Sequence, residues 1–451
     1  MKDQWRRYLS ARAPLHASYP SAARFDDQTT ALDYAERLAG VGLYEPLSLY
    51  LHIPFCRQTC WHCGCNMRVE RDYDQAMRYV RAICGEIQLV GMHLGGAGRP
   101  LSVHFGGGTP NILKVREIAD ILGVIELSLG LTDSTRLAID LDPRLIAPGD
   151  VDELAGLGFN RMGLGVQDFD EAVQLAINRV QSFEMVESAV GDMRRAGVND
   201  VAFDVICGLP KQTAGSFRKT IEKTIALSPD RVAVIGYAHL PEIQPRQRLI
   251  DEEALPDGPL RAELSLIADD LLIGAGYRRI GFDQYAKADN LLARAAQEGR
   301  LRRNFQRFTD DVADTTIGLG ASAISYVGEL YARNARTPAD YCARIDRRKL
   351  ATASGIILTP RDRAIAQAMR DVLCRSRAGL RPLLQALSPS EAREVSARLD
   401  RLDADGVIRW NAERIEIAEG ARPLAQIVAS ALNPHRDLAG AAAQQPMAQA
   451  F

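Results

Sequence analysis

Residues 47–66 read LSLYLHIPFCRQTCWHCGCN, a run that alternates apolar and polar residues and then places four cysteines close together. Alternation over residues 47–53 is typical of a β-strand, because successive side chains of a strand point to opposite faces. Tyr50 and His52 would then share one face, and the cysteines would lie in the loop at the carboxyl end. The stretch predicts a strand that brings a group of thiols to one edge of a sheet.

The same pattern continues along the chain. Short apolar or alternating runs are each followed by a stretch with helical spacing, such as residues 74–94 and 115–129. The predicted strands are residues 47–53, 101–105, 136–141, 160–166, 200–206 and 231–237. Strands that alternate with helices favour βαβ units and a parallel sheet. Since a closed TIM barrel needs eight units, the pattern predicts an α/β fold with an open, partial (β/α)6 TIM-like barrel, and a doubly wound sheet is the alternative.

Each predicted strand is followed directly by an unusual motif. After the cysteine loop these are Gly106–Pro110, Asp142–Arg144, Gln167–Asp168, Gly208–Pro210 and Ala238–His239. In both candidate architectures ligands bind where the βα loops leave the carboxyl ends of the strands. The sequence therefore predicts one functional site at that edge of the sheet.

Three further regions flank the predicted barrel at residues 46–335. Residues 1–45 are predicted to be an N-terminal extension, in which residues 31–38 form an amphipathic helix. Residues 336–438 are predicted to form a small, mainly helical domain of winged-helix-like pattern, with Thr359 and Pro360 starting a helix through Arg370 and residues 406–417 forming a hairpin. Residues 439–451 are rich in Ala and Gln and are predicted to be disordered.

Bulk composition excludes several classes of protein. The net charge is −2 over 451 residues, which gives no electrostatic reason to expect a nucleic-acid partner. Residues 1–13 lack the apolar core of a signal peptide, and no run approaches the roughly 18 apolar residues of a membrane span. We therefore predict a cytoplasmic protein without a membrane span, in which clustered cysteines bind metal or perform redox chemistry rather than form disulfides.

Cys56, Cys60 and Cys63 present three thiolates from one short loop. A [4Fe–4S] cluster held by three thiolates leaves one iron without a protein ligand, whereas electron-transfer clusters normally have four. An open iron can bind a small molecule through an amine and a carboxylate, both of which the α-amino acid end of methionine supplies. The alternative is a zinc site completed by Cys65 or His62, because zinc prefers four N or S ligands.

Other candidate residues lie at the strand ends. Glycines 106–108 allow a ligand to approach the backbone, although a tight turn would also explain them. Carboxylates suit ribose hydroxyls or an ammonium group, and arginine can bind a carboxylate at two points, so the following residues are candidates for cofactor binding: Asp140, Gln167, Arg179 and Asp204. Structural salt bridges are the alternative for each of them. Tyr50 and His52 would join the site if their face of the strand lines the barrel interior.

The stretch from Tyr50 to Asn66 resembles the signature of the radical S-adenosylmethionine family, in the form found in oxygen-independent coproporphyrinogen III oxidases. Further matches bring the resemblance to roughly residues 14–435: His104–Pro110, Asp142–Arg144, Gly165–Phe169, Gly208–Thr213, Tyr237–Pro241, Arg303–Gln306 and Gly320–Ser325. The run Gly64-Cys65-Asn66 points to the oxidases in particular.

The resemblance implies a [4Fe–4S] cluster on the three cysteines and two molecules of S-adenosylmethionine. Carried over position by position, the first molecule would contact Tyr50, Gly107, Asp140 and Ile324. The second would contact His62, Gly108, Thr109, Gln167, Arg179, Asp204 and Ala238. Cys65 would support activity without binding the cluster, and Tyr50 and His52 join it as candidate catalytic residues.

The implied activity is the oxidative decarboxylation of two propionates of coproporphyrinogen III to vinyl groups, giving protoporphyrinogen IX in haem biosynthesis. The implied enzyme is a monomer with a porphyrinogen substrate and separate, unidentified electron donor and acceptor. Three alternatives stay open: a paralogue acting on another porphyrin, for example in haem breakdown, a haem chaperone, and a zinc-stabilised binding protein.

Several positions depart from the family pattern. Asp140 stands where glutamate is usual, His62 where an aromatic or apolar residue is usual, Val180 where glutamate follows the arginine, and Gln284 where histidine follows the aspartate. The segment Pro14–Pro20 also differs. These changes bear on the substrate more than on the radical chemistry.

Overall fold

The computed structural model describes residues 3–8, 12–14, 19–305, 307–435 and 447–449. All six predicted strands are present close to their predicted bounds. They are β1 (Pro46–Ile53), β2 (Arg99–Gly107), β3 (Arg136–Leu141), β4 (Phe159–Gln167), β5 (Asp200–Cys207) and β6 (Arg231–Gly236). Each strand pairs in parallel with the next one along the chain. The predicted partial barrel is confirmed. In a doubly wound sheet the spatial order of the strands would reverse at one point of this series, and here it does not.

The sheet has twelve strands and so extends beyond the six that were predicted. The others are β7 (Arg278–Ile280), β8 (Gln284–Ala286), β9 (Thr315–Leu319), β10 (Ile324–Val327), β11 (Leu330–Asn334) and β12 (Thr352–Ile357). β9 lies parallel to β1 on its free side, and β10 to β12 continue from it in antiparallel order. β8 and β7 extend the opposite edge beside β6. These strands are short, so sequence periodicity alone does not reveal them.

In the described part of the chain, fourteen α-helices cover the sheet or form the C-terminal region. They are α1 (Ala31–Ala39), α2 (Tyr73–Leu94), α3 (Val115–Leu129), α4 (Asp150–Gly156), α5 (Glu171–Ala176), α6 (Phe183–Arg195), α7 (Ala214–Ala226), α8 (Gly258–Gly274), α9 (Leu291–Gln297), α10 (Pro338–Asp346), α11 (Pro360–Arg375), α12 (Arg381–Ala386), α13 (Pro389–Ala404) and α14 (Ala425–Ala431). None of the described helices is long and apolar enough to cross a membrane.

Helix α2 illustrates how the sequence sets these elements. Asp72 caps its amino end by accepting a hydrogen bond from the backbone N–H of Asp74. Gly95 ends it with a φ of 59°, a left-handed conformation that glycine adopts without strain. Ile83 and Ile87, four residues apart, are both fully buried on the face that packs against the sheet. The periodicity of residues 74–94 therefore predicted the helix correctly.

The boundary that was predicted after residue 335 falls inside the sheet. Strand β12 hydrogen-bonds to β11, so the barrel unit continues to Ile357. Thr359 then caps α11 through a capping box with Asp362, and the helix runs to Arg375 rather than Arg370. The periodicity around residue 335 changes because the parallel βα repeat ends there, although the sheet itself does not end.

The remaining short strands lie outside the large sheet. Ile408–Trp410 and Arg414–Ile417 form the predicted hairpin, and Arg377–Gly379 adds a third strand. The other pairs are Phe55–Cys56 with Arg68–Val69, Arg302–Arg303 with Phe308–Thr309, and Arg12–Pro14 with Met447–Gln449. Most of residues 439–451 lie outside the described residues, but residues 447–449 form a strand where disorder was predicted, because their backbone groups pair with residues 12–14.

Charged side chains fill the lower end of the barrel, at the amino ends of its strands. Arg161 donates hydrogen bonds to Asp200 at 2.9 Å and to Asp310 at 3.2 Å. Arg231 donates to Asp200 at 2.7 Å, and Arg136 pairs with Asp310. A network in which each charge has a partner can stay buried. It lies at this end of the barrel, and the cavity described below lies at the other end.

Glu86 is a buried carboxyl that ties α2 to the strands beside β1. It accepts hydrogen bonds at 2.7 Å from the Gly320 N–H, the Asn334 side-chain amide and the Tyr341 hydroxyl. Burial nevertheless raises the pKa of Glu86 to about 7, because desolvation outweighs these three donors. The carboxyl therefore holds a proton in the folded state at pH values where the unfolded chain has lost it.

This raised pKa predicts a pH dependence of stability. Between the ordinary glutamate pKa of 4.5 and about 7, the folded state binds more protons, so the free energy of unfolding should fall as pH rises through that window. The Glu86 contribution should fall by about 3 kcal/mol. Anaerobic urea denaturation of wild type and Glu86→Gln at pH 5 and pH 8 measures this. The variant should lose less stability between the two pH values than wild type, and parallel profiles would contradict the assignment.

Candidate functional site

A cavity of about 700 Å³ lies at the carboxyl ends of β1 to β6. The structure brings together there most of the residues that were predicted to form the site. Those that line the cavity are Cys56, Cys60, His62, Cys63, Cys65, Gly107, Gly108, Thr109, Asp140, Gln167, Arg179, Asp204 and Ala238. The convergence follows from parallel pairing, because strands in parallel order place all their carboxyl ends at one edge.

The cysteine loop is fixed at its base by a short parallel pairing. Phe55 and Cys56 pair with Arg68 and Val69. The backbone N–H of Arg68 donates to the carbonyl of Pro54 at 2.8 Å, and that of Glu70 donates to the carbonyl of Cys56 at 3.0 Å. These bonds close residues 57–67 into a loop that holds the thiols at the cavity.

All three candidate ligand sulfurs receive hydrogen bonds from neighbouring groups. The Thr109 hydroxyl donates to Cys56 Sγ at 3.2 Å, and the backbone N–H of Cys65 donates to Cys63 Sγ at 3.4 Å. A Cβ at Gly108 would lie 3.1 Å from Cys56 Sγ and 2.8 Å from the Phe55 carbonyl, so glycine is required for this approach. Donors beside a sulfur stabilise the thiolate that a metal needs.

Two guanidinium groups surround the third sulfur, Cys60. Arg144 Nη2 lies 3.7 Å and Arg179 Nη1 lies 3.6 Å from Cys60 Sγ. Asp142 orients both arginines, accepting from Arg144 at 2.6 Å and 2.9 Å and from Arg179 at 3.1 Å. Arg179 also donates to the carbonyl of Gly165 at 2.8 Å. The three sulfurs thus have the donor surroundings that an iron–sulfur cluster uses to tune its charge.

The zinc alternative finds less support in the geometry. Within residues 19–305 and 307–435, no three His, Cys, Asp or Glu side chains are arranged to hold a single metal ion. His62 is buried, and its Nδ1 has no hydrogen-bond partner among those residues. Burial, together with Arg179 and Arg144, lowers the pKa of His62 to about 3, so the ring is neutral at physiological pH.

Asp140 reaches the cavity from β3 and has His104 as its partner. His104 Nε2 lies 3.1 Å from Asp140 Oδ2, and the Asp140 side chain is 48% exposed, toward the cavity. Enclosure in the barrel would raise the pKa of Asp140, but His104, followed by Arg307 and Arg231, brings it down to about 2. The carboxylate is therefore charged throughout the physiological range and available to a cation or hydroxyl.

Tyr50 and His52 lie directly beneath the glycine loop rather than on the cavity wall. The Tyr50 hydroxyl is 3.3 Å from His52 Nδ1, and His52 Nε2 is 3.0 Å from the carbonyl of Asn66. A Cβ at Gly107, whose φ is 117°, would lie 2.8 Å from His52 Nδ1. Both residues therefore support the loops that face the cavity. Ile324 lines a different cavity, together with Ser48 on β1 and Thr316 on β9.

Arg307 is a cavity residue that the sequence did not single out. It forms a two-pronged ion pair with Asp204 on β5, and this pairing raises the pKa of Arg307 despite the cost of burial. The only signal in the sequence was the neighbouring match Arg303–Gln306, of which Gln306 lies outside the described residues. Asp204 is therefore already paired, which agrees with the salt bridge that was the alternative to its predicted role in cofactor binding.

A segment after β6 holds the cysteine loop from the other side. Gln244 Nε2 donates to the carbonyl of Gly64 at 2.9 Å, and Gln247 Nε2 donates to that of His62 at 3.0 Å. Arg246 Nη2 lies 3.4 Å from the carbonyl of Cys65. No sequence pattern marks these residues, because they bind backbone carbonyls that are about 180 positions away.

The structure shows the surroundings of two residues that depart from the family pattern, Val180 and Gln284. The Val180 side chain is 54% exposed, so it does not face the buried Arg179 that precedes it. Asp142 orients Arg179 instead, which removes the need for a neighbouring glutamate. Gln284 is buried and lines the cavity beside Asp283.

Comparison with known proteins places the chain in a family. Residues 50–224 match the model of the Radical SAM superfamily. Curated relatives include an oxygen-independent coproporphyrinogen III oxidase from Bradyrhizobium diazoefficiens, 38% identical over 95% of this chain and 96% of the relative. Another, from Pseudomonas aeruginosa, is 36% identical over 94% of both chains.

A solved structure agrees with these relatives. Coproporphyrinogen III oxidase from Escherichia coli, described as a radical SAM enzyme, superposes with a TM-score of 0.86 and 33% identity, covering 92% of this chain and 96% of that one. The radical SAM fold implies a [4Fe–4S] cluster and S-adenosylmethionine. This chain belongs to the family of oxygen-independent coproporphyrinogen III oxidases.

Proposed function

We propose that this chain converts two propionate side chains of coproporphyrinogen III to vinyl groups, giving protoporphyrinogen IX without oxygen. In each round one propionate loses a hydrogen atom, carbon dioxide and one electron, which passes to a separate acceptor. The observation that carries the proposal is the placement of three hydrogen-bonded cysteine sulfurs at a cavity of about 700 Å³.

The test is an anaerobic incubation of cluster-loaded protein with S-adenosylmethionine, a reductant and coproporphyrinogen III. Each conversion of a propionic acid to a vinyl group removes one carbon dioxide and two hydrogen atoms. Mass spectrometry should therefore find a product that lacks two carbon dioxide molecules and four hydrogen atoms relative to coproporphyrinogen III. Protein that cleaves S-adenosylmethionine but forms no vinyl product would contradict the proposal and favour a paralogue acting on another porphyrin.

Cys56, Cys60 and Cys63 hold the cluster in this proposal. When bound, the cluster and S-adenosylmethionine supply the radical that takes a hydrogen atom from the propionate. Cys65 donates its backbone N–H to Cys63 and is exposed at the cavity, so it lies beside the reacting groups without being needed as a fourth ligand.

Two molecules of S-adenosylmethionine remain part of the proposal. Support comes from two separate groups of polar residues in the cavity wall. Asp140 with His104 forms one group, on β2 and β3. Arg179 with Asp142 forms the other, at Cys60. Each offers a charge that suits one end of the molecule, an ammonium or hydroxyl for Asp140 and a carboxylate for Arg179.

The chain also controls the surroundings of the reaction. The ion-pair network occupies the lower end of the barrel, and the cavity wall includes Pro423 and Gln426 from the C-terminal region. Exclusion of water protects a reactive intermediate from side reactions. The cytoplasmic location, the monomeric state, and the separate electron donor and acceptor stay predictions from the sequence.

Asp140→Ala is expected to weaken the binding and cleavage of S-adenosylmethionine without loss of iron. Removing a charged hydrogen-bond partner should cost about 1.5–3 kcal/mol, roughly 10- to 150-fold in affinity. Equilibrium dialysis under anaerobic conditions and iron analysis measure the two quantities. Asp140→Glu, which restores the usual residue of the family, is the control and should retain binding. Unchanged affinity in Asp140→Ala would show that this carboxylate contacts His104 but does not bind the cofactor.

A further inference from the structure

The cavity contains a carboxylate that stands apart from the others. Four acidic residues line the cavity, and all four are aspartates. Three of them have cationic or imidazole partners: Asp140 with His104, Asp142 with Arg144 and Arg179, and Asp204 with Arg307. The fourth is Asp283. The others are thus held in place by this chain itself, whereas Asp283 needs a separate explanation.

The backbone of Asp283 is hydrogen-bonded to β6, but one of its carboxylate oxygens has no donor among the described residues. Its backbone carbonyl accepts a hydrogen bond from the N–H of Val234 at 2.8 Å, which fixes it beside β6. Its Oδ1 is buried, and in the described part of the chain no donor reaches that atom. Burial raises the pKa of Asp283, although Arg303 and Arg307 act in the opposite direction. A buried acceptor without a donor is costly, so native proteins rarely leave one unless a ligand completes it.

The chemistry of the proposed substrate supplies the missing donors. Coproporphyrinogen carries four pyrrole N–H groups around its centre, and since the ring is not oxidised, no imine nitrogen accepts there. Its propionates lie on the rim and are negatively charged, so a carboxylate would repel them. A carboxylate at the ring centre can accept from several N–H groups at once, and charge-assisted bonds of this kind are stronger than neutral ones.

We propose that Asp283 binds the centre of the porphyrinogen ring by accepting hydrogen bonds from its pyrrole N–H groups. This inference rests on the proposed function and names the residue that positions the substrate. The four pyrroles present nearly equivalent N–H groups, so one central anchor serves both decarboxylations. The ring can turn about it and bring the second propionate to the place that the first has left.

The position of Asp283 in the barrel fits this role. It lies beyond β6, next to β8, whereas the cysteine loop follows β1 at the other side of the parallel series. Asp204, one strand away on β5, is in register with Ala233 of β6, and Gln284 pairs with that same Ala233 from the other side. The anchor and the cluster ligands therefore face the same cavity from different walls.

The test compares two ligands that differ at the ring centre. Coproporphyrinogen III offers four N–H donors, whereas its oxidised form, coproporphyrin III, offers two N–H groups and two nitrogen acceptors, with the same propionates on the rim. Anaerobic equilibrium dialysis of the cluster-loaded enzyme measures both affinities. For Asp283→Ala we expect the affinity for coproporphyrinogen III to fall by about tenfold or more, and that for coproporphyrin III by less than about threefold.

Two further variants complete the experiment. Asp283→Asn keeps the shape and an acceptor oxygen but loses the charge, so its loss should be smaller than that of Asp283→Ala. Asp289→Asn changes an exposed aspartate on the same segment and should behave as wild type. Cleavage of S-adenosylmethionine in the absence of porphyrinogen should be normal in all three variants.

Three results would overturn the inference. Equal losses for both ligands would assign Asp283 to general cavity structure, and unchanged affinities would exclude any contact with the ring. Reduced cleavage of S-adenosylmethionine with unchanged porphyrinogen affinity would assign the carboxylate to the cofactor instead. If wild type itself neither binds nor converts coproporphyrinogen III, the proposed function fails and this inference with it, which separates that outcome from a failure of Asp283 alone.

Discussion

Cys60→Ala is expected to remove the [4Fe–4S] cluster and with it all activity. Each of the three thiols is a direct ligand in the proposed site, and a cluster already open at one iron has no protein ligand to replace a lost one. Iron and sulfide analysis of anaerobically reconstituted protein, together with the visible absorption of the cluster, should give background values. Cys56→Ala and Cys63→Ala should behave in the same way.

Cys65→Ala and Cys84→Ala are the controls for this loss. Cys65 contributes a backbone N–H to the Cys63 sulfur, which an alanine retains, so the cluster should remain while turnover falls. Cys84 lies on helix α2 and not in the cavity wall, and its replacement should change neither quantity. Loss of all iron from the Cys65 variant, or normal iron in the Cys60 variant, would contradict the assignment of ligands.

Arg179→Ala should abolish vinyl product formation while the cluster remains. The side chain is buried and bonded to Asp142, to the Gly165 carbonyl and to Cys60 Sγ. A guanidinium can bind a carboxylate through two charged hydrogen bonds, each worth about 1.5–3 kcal/mol, so its loss should lower turnover by at least about 100-fold. Arg144 still donates to Cys60, which is why the cluster should survive.

Arg179→Lys separates charge from geometry. Lysine keeps the charge but cannot make the three bonds of the planar guanidinium, so activity should also fall, though less than in Arg179→Ala. Arg195→Ala, at an exposed position near the end of α6, is the control. The paired measurements are iron content and product by mass spectrometry, and normal product from Arg179→Ala would exclude a role for this residue in the reaction.

Local patterns in the sequence identified the parallel strands and most of the cavity. Alternation of apolar residues and short spacing of cysteines are properties of neighbouring positions, and parallel pairing then fixes where the strand ends meet. Cys60, Asp140 and Arg179 could be placed in one site for this reason, because Asp140 lies near the carboxyl end of β3 and the other two lie in the segments that follow β1 and β4. The resemblance to the family added the identity of the cofactors, which spacing alone left open between iron–sulfur and zinc.

Pairing between distant residues could not be predicted in this way. Arg307 meets Asp204 across 103 positions, and Glu86 meets Asn334 across 248. Strand β9 occupies the place beside β1 only because the chain returns there after the whole parallel series. No local pattern encodes such a return, since it depends on the packing of all the elements in between.

What the sequence alone determined is therefore the chemistry available at the carboxyl edge of β1 to β6: three thiols, a glycine loop and a series of charged strand ends. What only the tertiary structure decided is which charges are already paired. Asp204 was a candidate for cofactor binding with a salt bridge as the alternative, and it is bound to Arg307, whereas Asp283 was noted only as the residue before a departure from the family pattern. The reason is physical: whether a buried charge is available to a ligand depends on which distant donors the fold brings to it.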